Sequence, residues 1–210
     1  MTDSRAAELV ELLDWRRRVA ELYAEIRATP DHRAAWRRWR EERSRLFCEH
    51  PQSPVPAAER PTYSGPHLYE YDSAWRVLAS VQSVEPARLE LPSSGPGPMS
   101  FTRFGRAEFT ISATPQALDL YWLDGYGGGL FLPFADNTSG SETYGAGRYV
   151  LDSIKGADLG QQDRFLVLDF NYAYQPSCSY DPGWTCPLAP PANRLTVPVR
   201  AGERLASPSV

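Results

Sequence analysis

Apolar residues recur every three or four positions through the first fifty residues, and this spacing predicts two helices with one buried face each. The buried faces are expected to hold Leu9, Leu12, Trp15, Val19, Leu22, Tyr23 and Ile26 in the first helix, and Trp36, Trp39, Leu46 and Phe47 in the second. For the second helix, Thr29 is the expected N-cap, with Pro30 at the first helical position and Asp31 in the first turn. Residues 1–50 are therefore predicted to form a helical hairpin.

The helical pattern ends at a connector, residues 51–66, whose prolines prevent a helix from continuing. From 67 to 203 the chain consists of short alternating segments, among them MSFTRF, AEFTISA, ALDLYWLDGY and RLTVPVR, each expected as a strand. AEFTISATPQALDLYWL predicts a hairpin that turns at Thr-Pro-Gln, with Phe109 and Ile111 opposite Leu118, Leu120 and Trp122. The predicted fold class is α+β: a helical hairpin followed by a mainly antiparallel barrel or sandwich. Residues 1–210 are expected to be a single domain, with 204–210 as a tail.

Composition and charge narrow the range of partners. The net charge is −4 at pH 7 and the isoelectric point is about 5.5, which argues against a nucleic-acid partner. In the basic run WRRWREERSR, glutamates alternate with arginines, as on a solvated helix face. The amino terminus lacks the apolar core of a signal peptide, and no later run reaches membrane-spanning length. A cytoplasmic protein without a membrane partner is predicted; the oligomeric state stays open.

The segment PFADNTSGSETYGAGRYVLD, residues 133–152, is the first candidate site. Arg148 offers a planar donor fork for a carboxylate or phosphate, and Tyr144 and Tyr149 offer ring faces and hydroxyl groups. Thr138, Ser139 and Thr143 are further candidate ligand-binding residues. The segment lacks the lysine and the strand-loop-helix context of a P-loop, which argues against a nucleoside triphosphate site.

A structural interpretation of the same segment is equally open. In it Asp136, Thr138 and Ser139 cap local amides, and Glu142 pairs with Arg148. The acids also allow a third interpretation: Asp136, Glu142 and Asp169 are candidates for acid–base catalysis or for a hard cation, although the spacing is not that of an EF-hand.

The second candidate segment is LDFNYAYQPSCSYDPGWTCPLAPPANR. Asp169 and Asn171 lie two residues apart on a predicted strand and are expected to share one face, with Tyr172 and Tyr174 continuing the alternation beside them. Asn171 and Tyr174 are further candidate ligand-binding residues. That face leads toward the glycine-rich loop if the strands close into a barrel. The alternative is that Asp169 and Asn171 only hold a neighbouring turn.

The chain has three cysteines, an odd number that argues against a disulfide-stapled scaffold. Cys178 and Cys186 stand eight positions apart, and they could bind zinc only with Cys48 and His50 as further ligands. The C-x-x-C spacing of a structural zinc site is absent, so no metal is predicted. Cys178 as a catalytic nucleophile would need a general base nearby, for which His50 is the candidate.

The segments LFCEHPQSP, LFLPFADNTSGSETYGAGRYVLD, LDFNYAYQPSCSYDPGWTCPLAPPANRL and VRAGE together resemble the bacterial family of domain of unknown function 1684. The resemblance covers nearly the whole chain. It implies one domain and no established activity, and it places the polar motifs of the family at Asp136, Thr138, Glu142, Thr143, Tyr144, Gly147, Arg148, Tyr149, Asp169, Asn171, Tyr174, Cys178 and Cys186. Gln175 departs from the pattern, since an asparagine is expected there.

The predicted function is to bind a small polar or anionic molecule in a pocket between the glycine-rich loop 136–148 and the strand 169–174, with conversion of that molecule left open. No cofactor is predicted, and the sequence does not decide whether the protein is an enzyme. One alternative is a protein–protein interaction module that uses the Trp/Arg-rich helices. A further alternative is a metal-dependent or Cys-dependent enzyme.

Overall fold

In the computed structural model, which describes residues 3–206, two helices precede a curled antiparallel sheet that forms a half-barrel. The helices are α1, Asp3–Ala28, and α2, His32–Glu49. The strands are β1, Arg76–Leu91; β2, Met99–Ile111; β3, Thr114–Leu123; β4, Leu130–Phe134; β5, Arg148–Asp152; β6, Gln161–Gln162; and β7, Phe165–Asp169. Their order in the sheet is β5-β4-β3-β2-β1-β7-β6. The predicted α+β class is therefore confirmed.

Helix α2 begins two residues later than predicted. Asp31, not Thr29, is the N-cap: its Oδ1 accepts from the backbone amides of Arg33 and Ala34, both at 3.0 Å. Thr29 is not available for this role, because its hydroxyl donates to the carbonyl of Glu25 in the preceding helix at 2.9 Å.

The apolar stripe of α2 is buried as predicted, with Trp36 and Trp39 only 3% and 1% exposed. Trp36 Nε1 donates to the carbonyl of Asn171 at 3.1 Å, and this bond joins the helix to the chain that follows β7. The predicted face of α1 is covered only in its second half, since Leu22 is buried whereas Leu9 is 52% exposed. The helical hairpin therefore packs on the sheet mainly through α2 and the end of α1.

The sheet has fewer and longer strands than predicted. MSFTRF and AEFTISA join into the single strand β2, and RLTVPVR forms no strand. The β2–β3 turn lies at Ser112 and Ala113, whose φ angles of 47° and 64° suit a two-residue hairpin turn. As a result Ile111 pairs with Thr114, and the predicted register across Thr-Pro-Gln is wrong.

Two hydrophobic clusters pack on the sheet. In one, the C-terminal segment contributes Leu195, Val199 and Ala201. In the other, residues of both helices pack with rings from the sheet, among them Phe131 and Tyr149. The end of the helical hairpin therefore lies against β5 and the chain after β7, where the predicted polar segments are found. None of the described helices is both long enough and apolar enough to span a membrane.

Candidate functional site

The first half of the glycine-rich loop folds on itself through its own side chains. Asp136 Oδ1 accepts from the amides of Thr138 at 2.7 Å and Val199 at 3.2 Å. The Ser139 hydroxyl accepts from the Asp136 amide at 3.0 Å, and the hydroxyls of Thr138 and Thr143 lie 2.9 Å apart. Asp136 and Ser139 therefore cap local amides as predicted, whereas the Thr138 hydroxyl bonds another hydroxyl and caps no amide.

Glycine is required at the end of this loop, at Gly147. Its φ angle is +94°, and a Cβ atom there would lie 2.5 Å from the carbonyl oxygen of Phe134. Both reasons that a loop needs glycine, a left-handed conformation and close approach of another backbone, apply at this one position.

Arg148 lies inside the protein and has no exposed surface. Its Nη2 donates to Asp136 Oδ2 at 2.9 Å and to the carbonyl of Val199 at 2.8 Å, and its Nη1 donates to the carbonyls of Ala201 and Glu203. Burial lowers the pKa of Arg148, and Asp136 opposes that shift. These contacts join β5 to the C-terminal segment. They leave Arg148 no open face for a ligand in this structure.

Glu142, the expected partner of Arg148, pairs instead with Arg200. Arg200 Nη2 donates to its Oε1 at 2.7 Å, and the Tyr69 hydroxyl donates to its Oε2 at 2.9 Å. Hydrogen bonds from Arg200 and then from Tyr69 lower the pKa of Glu142 to about 2. The expected Glu142–Arg148 pair is wrong, because Arg148 points inward to Asp136 while Glu142 lies at the surface.

Asp169 and Asn171 hold a turn. Strand β7 ends at Asp169, whose Oδ1 accepts from the Asn171 amide at 3.0 Å and from its Nδ2 at 2.8 Å. The Asn171 side chain also bonds both the amide and the carbonyl of Asp72, at 3.0 and 2.8 Å. Burial raises the pKa of Asp169. Its carboxylate also borders a narrow cavity of about 60 Å³ beside His32 and Arg76.

The two predicted segments meet at Tyr149 and Tyr174. Each backbone amide donates to the carbonyl of the other residue, at 2.9 and 3.0 Å, and the ring centroids are 5.5 Å apart. The Tyr174 hydroxyl donates to Asp152 Oδ2 at 3.1 Å, and burial raises the pKa of that acid. Asp152 was not among the predicted site residues, although the run RYVLD ends in it and forms a fully buried strand.

A partly enclosed cavity of about 50 Å³ lies between the helical hairpin and this pair of segments. Its wall contains two basic side chains and no carboxylate. The polar residues of the wall are Tyr23, Arg43, Lys155, Tyr174, Gln175 and Ser177. Of these, only Tyr174 belongs to the residues singled out in the sequence as ligand-binding.

Arg43 is held in this wall by a buried acid. Its Nε donates to Glu203 Oε1 at 2.5 Å, and Glu203 Oε2 also accepts from the Gln175 amide at 2.7 Å and the Tyr180 hydroxyl at 2.9 Å. Burial opposes the charge of Arg43, but Glu203 outweighs burial and raises the Arg43 pKa. The terminal nitrogens of Arg43 form no hydrogen bond with any described residue. They are therefore free to bind an acceptor from outside the protein.

Lys155 and Gln175 supply further unused polar atoms. The Lys155 amine lies 5.9 Å from the centroid of the Tyr149 ring and donates no hydrogen bond within the described part of the chain. Gln175 Oε1 is buried and lacks a hydrogen-bond partner. Lys155 is also the only lysine in the sequence. Such a wall can bind a small anion through the two basic groups and accept one donor at Gln175.

The sequence contains a signal that the Arg43 side chain is buried. Arg43 lies four residues after Trp39 and four before Phe47, so it occupies the buried stripe of α2. Its guanidinium carbon lies 5.5 Å from the Trp39 ring centroid and 4.4 Å from that of Phe47. The basic run of α2 was interpreted as a solvated face, and for Arg43 that interpretation is wrong.

Cys178 and Cys186 lie side by side. The amide of Cys178 donates to Cys186 Sγ at 3.4 Å, and the Tyr144 hydroxyl lies 3.8 Å from Cys178 Sγ. A hydrogen bond from the Cys186 thiol, helped by Ser94 and Tyr144, lowers the pKa of Cys178 to about 6 against the effect of burial. Both thiols are free. The pair lies in the same loop as Ser177, which is part of the cavity wall.

The other members of the considered zinc set have partners of their own. Cys48 Sγ donates to the carbonyl of Tyr63 at 3.1 Å. His50 Nε2 lies 3.2 Å from Asp14 Oδ2, and its Nδ1 accepts from the Gln52 amide at 3.0 Å. Among residues 3–206, no three His, Cys, Asp or Glu side chains are grouped so that they could hold a metal ion. His50 is likewise not among the groups that act on the Cys178 thiol.

Comparison with known proteins gives a family of unknown function. The family model described as protein of unknown function (DUF1684) matches residues 61–204. The solution NMR structure of an uncharacterized protein from Haloarcula marismortui is similar, with 33% identity and a TM-score of 0.61. The match covers 86% of this chain and 97% of that one. Among curated proteins, no match is found.

Proposed function

Because the chain belongs to the DUF1684 family of proteins of unknown function, we propose a function from its own side chains: it binds a small anion between Arg43 and Lys155. One observation carries this proposal. Two basic side chains line one small cavity whose wall has no carboxylate. Within the described residues, the terminal nitrogens of Arg43 and the amine of Lys155 donate no hydrogen bond.

The charges around the cavity favour an anion at its centre. Glu203 and Asp152 balance the two cations, but both acids are buried behind the wall and already accept hydrogen bonds. Arg43 is fixed through its Nε, so its remaining donors are held in place before a ligand arrives. A guanidinium with its terminal nitrogens open is suited to a carboxylate or a phosphate. In a partly desolvated site such a charge-assisted bond is strong.

The size of the cavity limits the ligand. About 50 Å³ holds a few water molecules, since one water needs roughly 10–15 Å³ on this measure. A carboxylate or phosphate group fits in that space, whereas a nucleotide does not. The apolar part of the wall consists of Trp15, Val19, Phe47, Pro54 and Ala157. We therefore infer a ligand with one anionic head group.

This site overlaps the predicted pocket only in part. Tyr174 belongs to both the predicted pocket and this cavity. The basic residues of the cavity wall, however, come from α2 and from the turn after β5, not from the loop 136–148. The proposal keeps the predicted ligand class, a small polar or anionic molecule, and moves its contact from Arg148 to Arg43. The proposal does not include a reaction, because no two described residues of the wall form an acid–base pair.

The interaction-module alternative loses its predicted contacts. Trp36 and Trp39, the residues that were to engage a partner, are buried against the sheet. Their rings instead pack on Tyr71 and Tyr172, at centroid distances of 5.9 and 5.2 Å.

The test is thermal unfolding of the full chain in phosphate, sulfate or acetate, with chloride used to hold the ionic strength constant. A bound anion stabilises the folded state, by about 2.7 kcal/mol at a hundredfold excess over its Kd. The melting temperature of the wild type should rise saturably with one of these anions. Lys155→Met and Arg43→Lys should weaken this rise.

Arg40→Lys is the matched control, because Arg40 is an exposed residue of the same helix and is not part of the cavity wall. It should respond as the wild type does. Equal melting curves in all three anions and in chloride would contradict anion binding at this site.

A further inference from the structure

The loop that begins at Cys178 and returns at Cys186 brings two thiols into contact. Cys178 lies in a short 3-10 turn, Ser177–Ser179, and its amide donates to Cys186 Sγ at 3.4 Å. Because the sulfur of one cysteine lies against the backbone amide of the other, the two thiols lie close together in the reduced protein.

Cys186 is fixed by the strand connection that faces it. Its amide donates to the Ser94 hydroxyl at 2.9 Å, and its carbonyl accepts from the Ser94 amide at 2.9 Å. The next residue, Pro187, accepts a hydrogen bond from the Tyr149 hydroxyl. One partner of the pair is thus held rigidly, while the residues between the two cysteines include the exposed Pro182 and Gly183.

The two thiols differ in reactivity. Hydrogen bonds from Cys186, Ser94 and Tyr144 favour the thiolate of Cys178 and lower its pKa to about 6. The hydrogen bond to Cys178, together with burial, raises the pKa of Cys186. Cys178 is also the more exposed of the two, at 8% against 2%. Cys178 therefore has the character of an attacking thiol and Cys186 that of a resolving thiol.

We propose that Cys178 and Cys186 are a redox-active pair that closes to an intrachain disulfide by exchange with a low-molecular-weight disulfide and reopens when a thiol reduces it. This assignment is independent of the anion site. It gives the cysteine loop a modification chemistry that neither the fold nor the family implies.

The exchange takes place in two steps. The Cys178 thiolate attacks one sulfur of the small disulfide, forming a mixed disulfide and releasing the other half as a thiolate. Cys186 then loses its proton, attacks Cys178 Sγ and releases the second thiolate. Two electrons pass from the pair to the small disulfide, and the two released thiolates take up the proton of Cys186 and the proton that Cys178 has already given to the solvent.

The experiment equilibrates the full chain in buffers of oxidised and reduced dithiothreitol, followed by acid quenching, thiol counting and peptide mass analysis. The wild type should pass from three free thiols to one as the buffer becomes oxidising, with loss of two hydrogen atoms. The peptides containing Cys178 and Cys186 should be joined, and reduction should restore all three thiols.

Three variants assign the roles. Cys48→Ser is the matched control and should form the same disulfide, because Cys48 bonds Tyr63 away from the pair. With oxidised glutathione, Cys186→Ser should retain a mixed disulfide at Cys178, whereas Cys178→Ser should retain far less at Cys186. Folded wild-type protein that keeps three free thiols in fully oxidising buffer would overturn the proposal. A disulfide that includes Cys48, formed in the folded wild type, would also overturn it.

Discussion

Arg43 and Glu203 form an ion pair between α2 and the C-terminal segment, with Arg43 Nε 2.5 Å from Glu203 Oε1. Glu203 has no exposed surface, and the Arg43 side chain keeps only 14% of its own. The pair connects residues 160 positions apart in the chain. It also fixes the guanidinium that we propose as the anion-binding group.

This pair sets the first prediction, on stability. Arg43→Met leaves the Glu203 charge buried without its cation. We therefore expect the free energy of unfolding to be about 3–5 kcal/mol lower than in the wild type. The double change Arg43→Met/Glu203→Gln removes both charges and should recover most of that loss. Urea unfolding measures both. Equal stability of the single and double variants would show that the pair does not act as a unit.

The buried ion pair of Arg148 with Asp136 gives the second prediction: stability lost on removing the arginine should be restored by neutralising Asp136. Arg148→Met should lower the free energy of unfolding by about 3–5 kcal/mol, because the Asp136 carboxylate is also fully buried. Adding Asp136→Asn to Arg148→Met should restore part of the lost free energy of unfolding. Adding Glu142→Gln should not, since Glu142 pairs with Arg200 at the surface. Rescue by Glu142→Gln in place of Asp136→Asn would contradict the assigned pairing.

Trp39 tests the contact between the helical hairpin and the sheet. It is 1% exposed and packs edge-on against Tyr172 at a centroid distance of 5.2 Å. Trp39→Ala should lower the free energy of unfolding by about 3–5 kcal/mol through lost burial and a new cavity. Leu9→Ala, at an exposed position of α1, should change it by less than about 0.5 kcal/mol. Equal effects of the two substitutions in a denaturant titration would disprove this packing.

The Glu142–Arg200 pair predicts a pH dependence. Hydrogen bonds from Arg200 and then from Tyr69 lower the pKa of Glu142 from 4.5 to about 2, so the folded state favours the ionised carboxylate. The resulting stabilisation is fully present above about pH 4.5 and is lost as the pH falls through about 2. Because the pair is exposed, its contribution is at most about 1 kcal/mol. The stability difference between the wild type and Arg200→Gln should therefore be smaller at pH 2 than at pH 7 and vanish below about pH 2. A difference of the same size at pH 7 and pH 2 would show that the ion pair is not its source.

Local patterns in the sequence predicted the parts of the fold that depend on neighbours in the chain. The spacing of Trp36, Trp39, Leu46 and Phe47 correctly predicted a buried helix face, because helical periodicity alone places them together. The β2–β3 register failed because it depends on left-handed conformations at Ser112 and Ala113, two residues without a strong turn signal.

Long-range pairing could not be predicted in this way. The choice of Asp136 over Glu142 as the partner of Arg148 follows from the path of the C-terminal segment, which brings Val199 and Ala201 to the guanidinium. The same holds for Arg43 and Glu203. The sequence led to the expectation that the Asp169–Asn171 face approaches the glycine-rich loop only if the strands close into a barrel. The sheet is a half-barrel, and the contact between the two segments is an isolated antiparallel bridge of Tyr149 with Tyr174 that no local pattern predicts.

The most direct test of the anion site uses Lys155, because it is the only lysine of the sequence. Reductive methylation with ¹³C-formaldehyde keeps the positive charge and labels Lys155 and the terminal amine, and Lys155→Arg assigns the two signals. Phosphate and acetate titrations at constant ionic strength should shift the Lys155 signal saturably in the wild type and in Arg40→Gln, and much less in Arg43→Gln; neither substitution adds a second lysine to be labelled. A Lys155 signal that moves no more in phosphate or acetate than in chloride would contradict the proposed anion site.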